Sequence, residues 1–371
     1  MEIQATIPLF YPVRTPEMEN AAIEVIRSGN IASGPKIAQF EHNFGRHIGR
    51  QNVVTTCDMT SAIVLALKLA GVRPGEEVAT LAFSCLSTNS AIAMVGARPV
   101  WIDVEPVSMS MCSKDLLSKL TPNTKAVLLY HVSGYPADVA AIYEICKKQR
   151  IPLIEDCNNA LGATIDGRPV GSVGDFAVYS FYPNRQINGF EGGALVCPDE
   201  MTAQHAKRLR RFGIDYETFR DERGEISAKS DVPEIGLSAS FSQLNAAVAE
   251  SQLSTLEKRQ YKTRSNARQL SALLNGVAGV RLVEALPKAK PAYWCLLLHS
   301  DRRDQLLSAL KSKGVACSVV HQRNDIYSGF NSQGKNMQGT SYAMDHLLAL
   351  PCGWWLGDKH INQIAEFVAD V

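Results

Sequence analysis

No apolar run in this sequence reaches the roughly 18 to 20 residues that a membrane span requires, so no membrane partner is expected. The opening Met1 to Ile7 has no basic region leading into an apolar one, so no signal peptide is expected either. Charge of one sign is also missing. With 38 Lys and Arg against 37 Asp and Glu, the net charge of +1 gives no global attraction to polyanions, which argues against nucleic acid as a partner. The nine cysteines (57, 85, 112, 146, 157, 197, 295, 317 and 352) form an odd set without one CxxC pair. That pattern argues against a disulfide framework and against a zinc site; no metal is expected, and a reducing cytoplasm fits best. Internal repeats and low-complexity tracts are absent as well.

What is present is a chain of 371 residues, 46% hydrophobic, long enough to bury a large core. Runs at 52–56, 77–82, 99–104, 125–131 and 151–156 read as strands, and helical patterns stand between several of them, at 60–70 and from about Ser87. This alternation predicts a mostly parallel sheet covered by helices. Thr15-Pro16-Glu17 is a helix start, with a hydroxyl cap and proline in the first turn. Further on, Leu244, Val248, Leu253 and Leu256 recur at helical spacing, so one long helix is expected from Phe241 toward Asn275. It would link a large unit, 1–245, to a smaller α+β unit within 246–371, with strands near 293–298 and 316–320 and helices at 303–313 and 360–368. The N-terminal segment is expected to pack partly on the smaller unit.

The stretch most suited to carrying chemistry is 175–193. An apolar run (Phe176, Val178, Phe181) ends in the proline-marked turn Tyr182-Pro183-Asn184-Arg185, and the pair Gly192-Gly193 leads into Ala194-Leu195-Val196. Such a strand-turn-strand unit can hold one side chain, Arg185, over a cleft. Asp156 closes the run 151–156, and a carboxylate at a buried strand end needs a partner. The guanidinium of Arg185 is the candidate, giving an expected Arg185–Asp156 pair.

On these residues the sequence resembles the DegT/DnrJ-type sugar aminotransferases of the fold-type-I pyridoxal phosphate enzymes. In that family the turn reads Ser-Phe-x-Pro-x-Lys-Asn, followed by Gly-(Glu/Asp)-Gly-Gly, and the lysine forms the imine with the cofactor. This chain keeps Ser180, Phe181, Pro183, Glu191, Gly192 and Gly193 but has Arg185 at the lysine. The resemblance runs from about Ile7 to Val371. It implies an aminotransferase-like α/β fold, with a mostly parallel sheet of seven-stranded type in a large lobe and an α+β C-terminal lobe.

The resemblance also implies the site. Met59, Thr60, Cys85, Asp156, Asn159 and Ser180 match cofactor-binding positions, with Asp156 facing the pyridine nitrogen. Around the cofactor Asp58, Met59, Cys85, Ser238 and Ser240 depart from the pattern. The helix start that takes the cofactor phosphate reads Asp58-Met59-Thr60 where the family has Ser-Gly-Thr, which puts a carboxylate and a side chain where an anion should sit. Cys85 replaces an aromatic ring that stacks on the pyridine. Ser238 and Ser240 stand where the family has an asparagine and an arginine. His321, Arg323, Asn324 and Tyr327 match a His-x-Arg-Asn-Asp segment at the substrate cleft, Arg323 offering a forked donor. His131, at a strand end, is a second catalytic candidate beside Arg185, although a lone loop histidine is more often structural.

Two functions follow from these residues. Because a guanidinium stays protonated and lacks a free amine lone pair, Arg185 cannot replace lysine as imine partner or base. The first reading is therefore a family homologue that holds no covalently bound cofactor and binds a nucleotide-linked sugar, or performs altered chemistry, in nucleotide-sugar metabolism. The alternative is a nucleotide-sugar aminotransferase, or a sugar dehydratase, that still uses pyridoxal or pyridoxamine phosphate. A homodimer is implied by the resemblance, and an active paralogue is a further candidate partner.

Overall fold

The strand-like runs assemble into one large sheet. In a computed structural model that describes residues 7–371, its strands are β1 (Val53–Thr56), β2 (Glu77–Leu81), β3 (Arg98–Ile102), β4 (Thr124–Tyr130), β5 (Leu153–Asp156), β6 (Phe176–Ser180) and β7 (Gly193–Val196). They lie in the order β1-β7-β6-β5-β4-β2-β3. From β3 through β6 the neighbours are parallel, whereas β7 runs antiparallel to both β6 and β1. The expected mostly parallel sheet is therefore present. Its strands are buried on both faces, as a parallel sheet covered by helices requires. One face packs on the helix Met59–Leu69 through Ile63, Leu67 and Leu128. The other contributes Leu81, Leu129 and Leu153 to a separate core.

A smaller antiparallel sheet follows, β8 (Val280–Leu282), β9 (Leu296–Ser300) and β10 (Leu347–Leu350), in that order. The helices Leu253–Leu274, Arg303–Ser312 and Asp358–Ala369 cover it through Leu270, Leu306, Leu310, Ile361 and Ile364. Ile7 joins the same core. Two expectations need correction. The apolar stretch 316–320 is not a strand; Ser318 makes only a single bridge to Ala349, and Val320 turns to φ 68°. The outer strand is instead Leu347–Leu350, whose apolar side chains are buried between sheet and helix. The helix expected from 241 to 275 is also two helices, Gln243–Glu250 and Leu253–Leu274. At the break, Gln252 turns inward and its side-chain amide clasps the backbone of Asn188, accepting from its N–H at 2.9 Å and donating to its carbonyl at 2.6 Å.

Candidate functional site

The site is assembled at the C-terminal ends of β4, β5 and β6, where open α/β sheets leave room for ligands. Glu155 and Asp156 end β5 as successive strand residues, so their side chains point to opposite faces. Both are fully buried. Asp156 accepts the Thr88 hydroxyl at 2.8 Å and the Asn158 N–H at 3.0 Å. Burial raises its pKa, while those two donors and the charge of Arg185 pull it back.

On the opposite face, Glu155 takes His131 Nε2 at 3.1 Å and the backbone N–H groups of Gly171, Val173 and Gly174 at 2.6–3.0 Å. Burial alone would raise its pKa; the His131 and backbone donors outweigh it, and the pKa is lowered. The arrangement bears on His131. Its Nδ1 accepts from the Ala137 N–H at 3.0 Å, which places the ring proton on Nε2, facing Glu155. The ring is fully buried with both nitrogens engaged, so the structure places His131 in a structural lock and not at a point of proton exchange. Cys157 has its sulfur within 4.8 Å of the same donor atoms, yet this bonding leaves the imidazole no lone pair for a cation.

Arg185 lies in the turn after β6. Proline at 183 and the burial of Phe181 and Ile187 on either side hold that turn against the core. The guanidinium sits over the indole of Trp294, Cζ 5.2 Å from the ring centroid, and Nη1 donates to Asn184 Oδ1 at 2.5 Å. Trp294 is itself fixed, its Nε1–H donating to the Asn184 carbonyl at 3.2 Å and its ring stacked on Phe10 with centroids 4.0 Å apart. The expected Arg185–Asp156 pair does not form. Asp156 is committed to Thr88 and Asn158, and the two charged groups come no closer than the 4.0 Å of an ion pair. Burial lowers the Arg185 pKa, partly offset by Tyr130, Cys85 and Asp156 nearby.

Near Asp156 and Arg185 a tyrosine that the sequence did not single out joins two residues that it did. Tyr130, the last residue of β4, accepts from the Ser133 N–H at 3.1 Å and from Asn159 Nδ2 at 2.8 Å. Its own proton is thereby left for His321 Nε2, 3.2 Å away. Burial and the charge of Arg185 push the His321 pKa down to about 3, so this ring is neutral. Asn159 and His321 are thus brought together beside Arg185, through a tyrosine whose signal was its place at a strand end.

At the start of the helix Met59–Leu69, Asp58 is the cap. Its Oδ1 accepts the Ser61 N–H at 2.8 Å, and Oδ2 accepts the Ser61 hydroxyl at 2.9 Å and the Cys57 thiol at 3.1 Å. Met59 does not obstruct this end as expected; its side chain is 8% exposed and packs into the core beneath the helix. Gly193 allows that packing, because a Cβ there would stand 2.6 Å from Met59 Cα. Thr60 is half-buried in the first helical turn. Ser180 ends β6 and accepts the Tyr182 N–H at 3.3 Å. Cys85 precedes the helix Leu86–Met94, half-buried, its sulfur 3.0 Å from the Ser87 hydroxyl.

The segment 321–327 is split in its roles. Only His321 reaches the network just described. Arg323 folds its fork back on Asp325, Nε–Oδ1 2.7 Å and Nη2–Oδ2 2.5 Å, with Nη1 on the Ser341 hydroxyl at 3.0 Å. Asn324 is buried, donating to the Ser84 and Gln322 carbonyls and accepting from Asn89, which ties this loop to the end of β2. Tyr327 is exposed.

The sequence profile described as the DegT/DnrJ/EryC1/StrS aminotransferase family matches residues 13–369. A UDP-4-amino-4-deoxy-L-arabinose–oxoglutarate aminotransferase of Shewanella sediminis is 27% identical over 385 residues, covering 98% of this chain and 97% of that protein. Among solved structures, the sugar aminotransferase CalS13 from Micromonospora echinospora is 30% identical with a TM-score of 0.93, covering 98% of this chain and 100% of that one. AtS13 from Actinomadura melliaura is 29% identical with a TM-score of 0.93 and full coverage of both chains.

Proposed function

The chain belongs to the DegT/DnrJ/EryC1/StrS aminotransferase family, and from that membership we propose a nucleotide-sugar-binding protein that does not perform ordinary pyridoxal phosphate transamination. The observation that carries this reading is Arg185. It stands at the turn where the family resemblance puts the imine-forming lysine, and it offers a resonance-stabilised cation with no amine lone pair.

The residues do not fit a covalently anchored pyridoxal phosphate at either end. At the imine end the guanidinium lies over Trp294. At the phosphate end the carboxylate of Asp58 already takes the donors of Ser61 and Cys57. Asp156, at the end of a buried strand, is the position of the resemblance that this reading leaves unchanged. Nucleotide-linked sugar is the ligand class of the curated relative at 27% identity, and we carry it to this chain as part of the proposal. A homodimer, in which a two-fold mate completes the cleft, belongs to the same reading.

The test is direct. Thermal shift and calorimetry of the isolated chain against UDP-, GDP- and dTDP-sugars are expected to find one nucleotide series that binds. An amino-donor assay with added pyridoxal phosphate is expected to show no amino transfer to the corresponding keto-sugars. Unaided amino transfer contradicts the reading, and silence from every nucleotide sugar removes the ligand class.

A further inference from the structure

We infer that the anion-binding position of this cleft lies at Arg185 and not at the start of the helix Met59–Leu69, and that it receives the diphosphate of a nucleotide-linked sugar. The inference rests on the nucleotide-sugar reading above and says where on this chain that ligand is held. Two separate observations lead to it.

The first is that the helix start already carries the protein's own anion. Asp58 consumes the Ser61 N–H, the Ser61 hydroxyl and the Cys57 thiol, donors that an incoming phosphoryl group would otherwise meet. A second carboxylate, Glu191, lies close enough to feel Asp58, so a ligand anion entering this end would face charge of its own sign.

The second is a cation short of partners. A guanidinium has five N–H donors, and the one hydrogen bond that the Arg185 guanidinium makes among the described residues is to the neutral Asn184 side chain. Its Nε is buried without an acceptor among the described residues, and no carboxylate of those residues stands within the 4.0 Å of an ion pair. Arg185 is half-buried, and a partly desolvated charge left this way is costly, a cost that an entering oxyanion relieves.

The surroundings fit a phosphoryl group. Trp294 covers the guanidinium from one side. Beside Arg185 opens a small cleft of about 30 Å³ walled by Phe10, Tyr11, Gln186, Trp294 and Trp355. That space takes only about two water-sized atoms, so one or two phosphoryl oxygens would enter it and the rest of the diphosphate, with sugar and base, would lie outside past the aromatic walls. A planar fork suits phosphoryl oxygens in pairs.

The probe is inorganic pyrophosphate, titrated calorimetrically into the full chain. Wild type is expected to bind it saturably, and Arg185→Met to bind it about tenfold or more weakly. Arg185→Lys keeps the charge, loses the fork and is expected to fall between; it carries the test should the methionine variant not fold. No binding by wild type, or equal binding by Arg185→Met, overturns the inference. Malonate binding with the same Arg185 dependence, in place of pyrophosphate, makes this a carboxylate site and also overturns it. Pyrophosphate at Arg185 with no nucleotide sugar bound faults the functional reading alone. Nucleotide-sugar binding indifferent to Arg185 faults this inference alone.

Discussion

The guanidinium of Arg185 lies over the indole of Trp294, 5.2 Å from Cζ to the ring centroid, and leaves Asp156 to Thr88 and Asn158. Stacking of this kind contributes about 0.5 to 2 kcal/mol depending on solvation. Trp294→Leu is therefore expected to free the side chain. The check is a loss of about 1 kcal/mol in urea unfolding, together with a drop in any Arg185-dependent ligand affinity.

Installing the missing amine should not be enough to restore cofactor retention. Arg185→Lys supplies a primary amine, but Asp58 still fills the helix start. Two like charges at contact cost about 4 kcal/mol at an effective dielectric of about 20, so even partial relief is measurable. The double variant Arg185→Lys with Asp58→Ser is expected to retain pyridoxal phosphate at least about tenfold more tightly than Arg185→Lys alone, measured by absorbance after gel filtration. Equal retention by the two would show that Asp58 is no barrier.

The cap itself predicts a stability pattern. Serine caps a helix about as well as aspartate, whereas alanine does not. Asp58→Ser should leave the melting temperature nearly unchanged, and Asp58→Ala should cost about 1 kcal/mol, a shift of about 2 °C in a chain of this size.

Glu155 predicts an acid limit to stability. Its folded pKa lies below the ordinary carboxylate value because His131 and backbone donors hold the charged form against the opposing effect of burial. The stabilisation is therefore complete above about pH 4.3, the unfolded value, and is lost as pH falls through the lower folded value. Glu155→Gln is expected to cost about 1–3 kcal/mol at pH 7, since it removes the charged acceptor of the His131 and backbone N–H donors. Urea unfolding at pH 7 and at pH 4 reads both effects.

His321 predicts a loss of stability in the same direction, beginning at a higher pH. Its folded pKa is down to about 3, so the unfolded chain binds the extra proton first as pH falls below about 6.5. Stability should decline between about pH 6.5 and 3, and the ring should show no imidazole titration by NMR between pH 5 and 8. His321→Phe should remove that part of the pH dependence.

Much of this was legible in the sequence. Residues 175–193 gave the strand, turn and glycine pair that hold Arg185, because proline and glycine mark backbone that only a turn can use. Asp58 was readable as a carboxylate at a helix start. Its partners are local too, Ser61 three residues on as a cap contact and Cys57 immediately before it. The Arg185–Asp156 pair was expected from charge alone and failed because Thr88, on a helix 68 residues earlier, already satisfies the carboxylate. Tyr130 passed as one more apolar strand residue in Ala-Val-Leu-Leu-Tyr, although a hydroxyl on the final residue of a parallel strand was a signal available to be read. Trp294 had none, since it lies in an irregular segment brought to Arg185 only by tertiary packing. Arg323 was read as an open fork, yet Asp325 two residues on was the nearest carboxylate and took it.

The central claim is that this chain cannot attach a vitamin B6 aldehyde through an imine. Wild-type protein incubated with excess pyridoxal phosphate, reduced with borohydride and mapped by peptide mass spectrometry tests it most directly. The account predicts no stoichiometric adduct on any peptide. A single lysine labelled to one equivalent per chain would contradict it.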